Sequence, residues 1–375
     1  MIKNFLREAK RAPLKSLFGK WRLDSELGPG YTIVLPSPMD MPFMLRLGLE
    51  GIKHIDTTNC SQILVVPDGW GDDRGAGLRQ VAAEFDDPRI RVVDLRWIDY
   101  LAIRSLRPPG CAHTHWMMVV NGVLHARSEY AFLHDADAFF LDPDGLERQY
   151  SEAATAGMYS YGVEERWDEF FTSRGYCIPG TWELMFSTRW ARERSPLDLM
   201  PGIRPTRDGE FGFDSMLYGQ YLDHDSGRVG VMPKPPRIVH FNGTIFSYRL
   251  FRDAGGKPVT DELFRVLLLS LIESSLQVAE SVRACPDIED VIRGLRQNNG
   301  PLRYASEVNR KGYGEFREMV ERLCHSPVFA GERAERIREH ISAFDDHFQY
   351  QPGQQHKAAL EFGQTREASI GEASS

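Results

Sequence analysis

The 375-residue chain is short of three things that would narrow its reading. Long apolar runs are missing. The longest, Val266 to Ile272 (VLLLSLI), falls well short of a bilayer span and sits inside a helical pattern of apolar residues. Cysteine is scarce: five residues, at 60, 111, 177, 285 and 324, with no C-x-x-C pair. Neither a disulfide framework nor a zinc site is expected, and the thiols suit a reducing cytoplasm. Surplus positive charge is missing too. The formal net charge is −8, whereas a protein whose main partner is nucleic acid needs the opposite balance. Charged residues interrupt each short apolar stretch near the N-terminus, so no secretory signal is expected. The expected protein is soluble, or attached to a membrane surface at most.

The overall balance, 42% hydrophobic and 26% charged, is that of a globular protein, and the length predicts a catalytic domain with an appended element. The first 22 residues stand apart, with seven basic residues against a single acid, Glu8. Ile2, Phe5, Leu6, Ala9, Leu14, Leu17, Phe18 and Trp21 recur at near-helical spacing, interrupted at Pro13. A basic amphipathic segment of this kind lies on an anionic membrane surface, or else its apolar stripe packs on the domain behind it. Periodicity does not choose between lipid and protein as the apolar partner. The expected organisation is this segment at 1–27, a catalytic domain at 28–255, a helical region at 256–350 and a disordered tail at 351–375.

After the Gly28 to Gly30 break, strand-like and helix-like segments alternate. Tyr31 to Leu35 (YTIVL), Ile63 to Val66 (ILVV), Ile90 to Leu95 (IRVVDL) and Tyr130 to Leu133 (YAFL) read as strands. Helices are expected at 41–52, 78–85 and 114–127, with a loop near Arg107-Pro108-Pro109-Gly110. This alternation predicts an α/β fold with a mostly parallel sheet covered by helices on both faces. Right-handed crossovers then put the strand carboxyl ends along one edge, where such folds bind ligands. From Thr260 the apolar spacing becomes helical, over 261–283, 287–295, 313–323 and 332–344. That is a helical C-terminal appendage.

The segment Phe132-Leu133-His134-Asp135-Ala136-Asp137 delivers two carboxylates, at i and i+2, to the ligand edge of the sheet. Mn²⁺ and Mg²⁺ take oxygen ligands, commonly one or two carboxylates together with substrate phosphate oxygens. Asp135 and Asp137 are therefore candidate metal ligands that would grip a diphosphate. The rival reading is a loop pair that caps the helix near Gly145. His113 and His115 form an H-x-H without a third nearby ligand, and read as surface or structural residues.

The stretch from Asn121 to Asp137 (NGVLHARSEYAFLHDAD) resembles the region leading into the DXD motif of GT-A glycosyltransferases, especially family 2. Ile33 to Pro36 resembles the opening strand of that family. Ile63 to Asp72 (ILVVPDGWGD) resembles its second strand, with departures at Pro67, where an aspartate is usual, and at Trp70, where serine is. The resemblance covers about residues 30 to 250. It implies a GT-A (Rossmann-like) fold and a nucleotide-sugar donor, a UDP- or GDP-sugar, with Mn²⁺ or Mg²⁺ as cofactor. The implied acceptor is a hydroxyl of a glycan or lipid-linked glycan.

Residue by residue, the resemblance makes Pro36 and Asp68 donor-nucleotide contacts, with Asp68 on the base. Val239 to Thr244 (VHFNGT) is similar to a late His-x-x-Gly of several GT-A families. That likeness makes His240 a third metal ligand and lets the backbone at Gly243 approach the phosphates; the bland alternative is a histidine bonded to a turn. Gly209 to Ser215 (GEFGFDS) resembles the acceptor-side acidic motif, with Asp214, or else Glu210, as the base of an inverting reaction. Asp214 equally suits a helix N-cap. Gly180 to Phe186 resembles a segment lining the acceptor pocket, and Trp182 is a sugar-stacking or a core residue.

Three rivals remain. A phosphatase of the haloacid-dehalogenase type also places D-x-D after a strand, but Phe139 stands where it needs Thr or Val. A nucleotidyltransferase opens with a Gly-rich loop that Met39 to Pro42 does not supply. A non-catalytic sugar-binding protein on a glycosyltransferase scaffold would bind without turnover.

Overall fold

The structure is a computed structural model that describes residues 21, 26–95, 111–164, 169–233, 237–241, 243–253, 263–279, 282–297 and 307–350. The expected amphipathic segment apart from Trp21, the loop before residue 111 and the tail from 351 lie outside the described residues. The chain divides into two compact units, Met1–His240 and Phe241–Ser375.

In the first unit, β1 (Gly28–Ser37), β2 (Cys60–Pro67), β3 (Ile90–Val92) and β4 (Ser128–His134) are the four expected strands. Helix α1 (Pro42–Lys53) joins β1 to β2, α2 (Asp72–Glu84) joins β2 to β3, and α3 (Cys111–His125) precedes β4. β1 pairs in parallel with β2 on one side and β4 on the other, so both of its faces and both of its edges are covered. This is why Tyr31 to Leu35 carries no polar alternation apart from Thr32, which shares hydrogen bonds with Gln62 and Ser128.

Beyond β4 come β5 (Ala138–Phe140), α4 (Gly145–Ala156), β6 (Ser160–Glu164), α5 (Glu169–Arg174), β7 (Pro179–Ser187) and α6 (Thr188–Glu193). The unit is completed by the hairpin β8 (Gly202–Thr206) and β9 (Gly209–Phe213), α7 (Leu217–Leu222), β10 (Val229–Val231) and β11 (Ile238–His240). Among the described residues the main sheet has seven strands in the order β10-β6-β7-β4-β1-β2-β3. Only β7 runs against the rest, pairing antiparallel with β4 and β6. The expected mostly parallel α/β sheet is present.

Helices cover both faces. On one, Trp116, Val119, Val120 and Val123 of α3 pack with Val34, Leu64, Val66, Ala131 and Leu133 of the sheet. Trp21 joins this cluster, and its indole N–H donates to the Arg194 carbonyl at 2.6 Å, so at this residue the apolar partner is protein. On the other face α1 comes unusually close. A Cβ at Gly48 would lie 2.9 Å from Leu35 Cδ2 and 3.2 Å from Ala136 Cα. Glycine inside a helix costs about 1 kcal/mol relative to alanine. Here it lets the helix seat directly against the residue between the two aspartates.

The second unit is helical: α8 (Thr244–Asp253), α9 (Leu263–Ser275), α10 (Ile288–Arg296), α11 (Glu307–Cys324) and α12 (Glu332–Phe348). Val266 to Leu269, Leu271 and Ile272 are all buried, which makes α9 a helix enclosed on most sides. Phe264, Tyr313, Phe316 and Phe348 form an aromatic knot, with Tyr313 stacked on Phe348 at 4.4 Å. No helix among the described residues is long and apolar enough to cross a membrane.

At the end of α9 the buried Glu273 carboxylate accepts the backbone N–H groups of Ala284 at 2.5 Å and Cys285 at 2.9 Å. Burial outweighs these hydrogen bonds and the nearby Arg283, and raises its pKa to about 7 from 4.5. The folded state thus holds the proton more tightly than the unfolded chain. Its contribution to stability is full below about pH 4.5 and is lost as pH rises through about 7. Urea titrations of wild type and Glu273→Gln should show the stability difference moving in favour of the variant across that window, by roughly 3 kcal/mol. A difference that stays flat with pH would exclude this account.

Candidate metal centre

β4 ends at His134, and the backbone N–H of Asp135 still bonds across to the Trp182 carbonyl of β7 at 3.1 Å. A tight turn follows, closed by the Ala138 N–H on the Asp135 carbonyl at 3.0 Å. β5 then pairs antiparallel with β11 in a two-stranded ribbon, with His240 opposite Ala138. The ribbon is anchored by the buried Phe139, Phe140 and Val239. A residue about a hundred positions further along the chain is thereby set beside the acidic pair.

The His240 Nε2 lies 3.5 Å from Asp135 Oδ2 and 3.5 Å from Asp137 Oδ1. One ligand atom from each of the three residues lies within 4.8 Å of the others. Asp137 is nearly sealed, with 7% of its side chain exposed, whereas Asp135 keeps 29% open to solvent. The Trp182 ring stacks on the His240 imidazole at 4.5 Å and 12° and fixes its plane. Burial opposes charge on His240, but hydrogen bonding and attraction from Asp135 and Asp137 prevail and lift its pKa to about 10.

Two carboxylate oxygens and one imidazole nitrogen, converging at the end of a parallel sheet, suit Mn²⁺ or Mg²⁺. The topology supports the placement. β1 lies between β4 and β2, so the strand order reverses there, and its pairing with β4 stops at Val34–Leu133 while pairing with β2 runs on to Ser37. A crevice at such a switch point is where open α/β sheets take their ligands.

Directly behind the cluster, His134 Nδ1 and Glu183 Oε2 are 2.8 Å apart with both side chains sealed from solvent. Burial works against the charged form of each. The carboxylate nevertheless raises the His134 pKa, and burial raises that of Glu183, so the two groups share one proton.

The other sequence candidates are distributed around this edge. Pro36 is buried near the carboxyl end of β1, beyond the last pair with β4. Asp68 follows β2; its N–H donates to the Ser37 carbonyl at 3.1 Å and its carboxylate accepts the Met39 N–H at 2.9 Å, so it laces the ends of β1 and β2 together. Asp214 is exposed and accepts the N–H of Ser215 at 2.6 Å. It caps no helix, because α7 begins after Met216, whose side chain makes no cap hydrogen bond. Glu210 is exposed near the tip of the β8–β9 hairpin, four residues and about 13 Å of extended chain from Asp214. The two carboxylates therefore do not share a site through the strand. Gly243 opens the second unit with φ +78°, and a Cβ there would meet the Arg265 guanidinium at 3.2 Å.

His115, expected to be surface or structural, is half-buried: its side chain is 21% exposed, but its Nε2 is buried, 3.9 Å from Asp135 Oδ1, and its Nδ1 lies 3.3 Å from Ser215 Oγ. Trp182 is half-buried, with one face of its ring stacked on His240. The H-x-H spacing was the one sequence signal for His115, and its partners lie twenty and a hundred residues away.

No protein-family profile and no curated protein matches the chain. Solved structures similar to it include a mannosyltransferase from Pyrobaculum calidifontis in complex with GDP-Man and Mn²⁺, 13% identical, covering 96% of this chain and 88% of that one at a TM-score of 0.39. A galactosyltransferase, LgtC, in complex with donor and acceptor sugar analogues is 13% identical over 59% of this chain and 78% of its own, at 0.38. Glucosyl-3-phosphoglycerate synthase from Mycobacterium tuberculosis is 14% identical over 57% and 73%, at 0.37. At these scores the likenesses carry no weight for substrate or mechanism, which rest on the site itself.

Proposed function

We propose that the protein is a metal-dependent glycosyltransferase that moves a sugar from a nucleoside-diphosphate donor to a hydroxyl of a glycan or lipid-linked glycan. The observation that carries this reading is the convergence of Asp135, Asp137 and His240 beside the β1–β4 switch point. Asp135 and Asp137, with His240, would hold Mn²⁺ or Mg²⁺, and the ion would neutralise the charge that develops on the departing diphosphate. Asp137 and His240 orient the cluster from the buried side, while the more exposed Asp135 faces the open crevice. Trp182 holds the His240 ring in place. The donor base would lie over the ends of β1 and β2, near Pro36 and Asp68.

Asp214 is the better placed base for taking the acceptor proton, since its neighbour Ser215 contacts His115, which in turn approaches Asp135 at 3.9 Å; Glu210 is set apart on the hairpin. Proton removal by Asp214 makes the reaction inverting at the anomeric carbon. The unpaired cysteines and the basic stretch of residues 1–22 support a cytoplasmic enzyme working at or near an anionic membrane.

The test is thermal melting with UDP, GDP, TDP and CMP, in Mn²⁺ and again in EDTA. A ligand at about 100 times its dissociation constant stabilises a fold by roughly 2.7 kcal/mol. One nucleoside diphosphate should raise the melting temperature only when Mn²⁺ or Mg²⁺ is present, and that nucleotide names the donor. No shift with any nucleotide would remove the reading in favour of a phosphatase or a different ligand.

A further inference from the structure

We propose that Trp70 stacks on the base of the donor nucleotide and supplies much of the affinity for the nucleoside part. This rests on the nucleotide-sugar reading above, and adds to it a residue that the metal centre does not use.

Trp70 stands out by what it leaves in water. Of the other tryptophans described, Trp21, Trp116 and Trp190 are buried, and Trp182 is stacked on His240. Trp70 is 52% exposed. It follows the end of β2 at Pro67 by three residues, on the carboxyl edge of the sheet where the acidic pair also lies. A single exposed apolar residue is ordinary on a protein surface, so the setting has to decide what this one does.

That setting is fixed on both sides. The Asp68 N–H donates to the Ser37 carbonyl at 3.1 Å and the Asp68 carboxylate accepts the Met39 N–H at 2.9 Å, which ties the turn after β2 to the end of β1. Gly69 lets Met39 press against this turn, since a Cβ there would lie 2.9 Å from Met39 Sδ. Gly71, with φ +124°, then turns the chain into α2. The indole is therefore presented from a short, tied turn, with a carboxylate and the apolar Met39 close by in that turn. A nucleobase has a flat π-face and a polar edge. An aromatic ring beside a hydrogen-bonding group answers to both.

The strand register gives the reach. Val34 of β1 is level with Leu133 of β4 and with Leu64 of β2, so Asp135 and Val66, each two residues on, are level with one another. Only β1 lies between their strands, which sets the ends of β4 and β2 about 10 Å apart. A nucleoside diphosphate with its phosphates beside Asp135 spans β1 with its ribose. Its base then arrives over the end of β2, where Asp68 and Trp70 stand. Serine is usual at this position in the glycosyltransferases that the sequence resembles, so the contact is particular to this chain. Every base has a π-face, so Trp70 adds affinity for the base without choosing among bases.

The experiment is calorimetric titration of the full-length protein in Mn²⁺ with UDP, GDP and inorganic pyrophosphate, for wild type, Trp70→Ala and Trp70→Phe. Trp70→Ala should weaken the nucleotide that wild type binds by about 10- to 100-fold, the range that loss of one base stack produces. Trp70→Phe keeps an aromatic face and should recover most of that loss. Pyrophosphate carries the two phosphates without a base, and should bind all three proteins equally. Because the side chain is exposed, melting temperatures without ligand should coincide.

Unchanged nucleotide affinity in Trp70→Ala would overturn the proposal and leave the indole a plain surface residue. An equal loss of pyrophosphate would also overturn it, because the damage would then lie in the phosphate or metal site and not at the base. Failure of wild type to bind any nucleotide would instead remove the nucleotide-sugar reading itself, and this proposal with it.

Discussion

Asp137→Asn is expected to lower kcat/KM for sugar transfer by about a thousandfold or more while leaving the fold intact. The substitution keeps the shape of a side chain that is 7% exposed and removes only its charge. Among the cluster carboxylates Asp137 is the buried one, so no water can take its place as easily as at Asp135. Neutralising one of two adjacent carboxylates also relieves their mutual repulsion, which offsets what the His240 pairing loses, so stability should move little. The catalytic loss is different in kind. Charge stabilisation of a leaving diphosphate by a bound ion amounts to several kcal/mol, and each 1.36 kcal/mol is about tenfold in rate.

Metal removal must produce the same loss by another route. EDTA should bring wild type down to the level of Asp137→Asn, and should lower the variant hardly further. Additive losses would mean that Asp137 acts independently of the metal. Activity assays with the nucleotide sugar identified by melting, with and without EDTA, and a circular dichroism melt of each protein, settle the point.

Much of this was legible in the sequence, and the reasons differ by element. β1, β2 and β4 announce themselves because strands paired on both edges of a parallel sheet are buried on both faces, and so read as unbroken apolar runs. The position of Asp135 and Asp137 follows from β4 alone, as it is a local fact. His240 came from likeness to other His-x-x-Gly segments, because nothing local says that it will meet Asp137. The ribbon that brings them together pairs three residues with three, Ala138–Phe140 with Ile238–His240, and strands that short leave no periodicity to read.

β7 is a similar case. Its reversed direction depends on which neighbours it finds, and Gly180 to Phe186 carries no mark of that. The setting of His115 is a non-local matter: its nearness to Asp135 and Ser215 is set by the packing of α3. An H-x-H on a helix puts its two histidines on different sides, so the pair that spacing suggests is the wrong one to look for.

Glu183→Ala should be the most destabilising single change in the first unit described here, by about 3 to 5 kcal/mol, because it removes one half of a buried charged pair. His134 would be left fully buried with no carboxylate to share its proton. His134 would have to give up its proton, and a cavity would remain at the centre of the sheet. The pair itself is not needed for stability in this argument. Desolvating both groups costs as much as their attraction returns, so His134→Phe with Glu183→Leu should fold within about 1 kcal/mol of wild type. Phe132 and Phe140 already stack on the His134 ring and would accept a phenyl in its place.

Urea denaturation of the two single variants and the double therefore has a definite pattern to meet: a large loss on Glu183→Ala that the double variant recovers. If the double is as unstable as the single, the pair contributes stability outright. If instead it folds well but no longer binds Mn²⁺, the pair is retained to aim the adjacent Asp135 and Trp182. It would then belong to the function of the site, not to its stability.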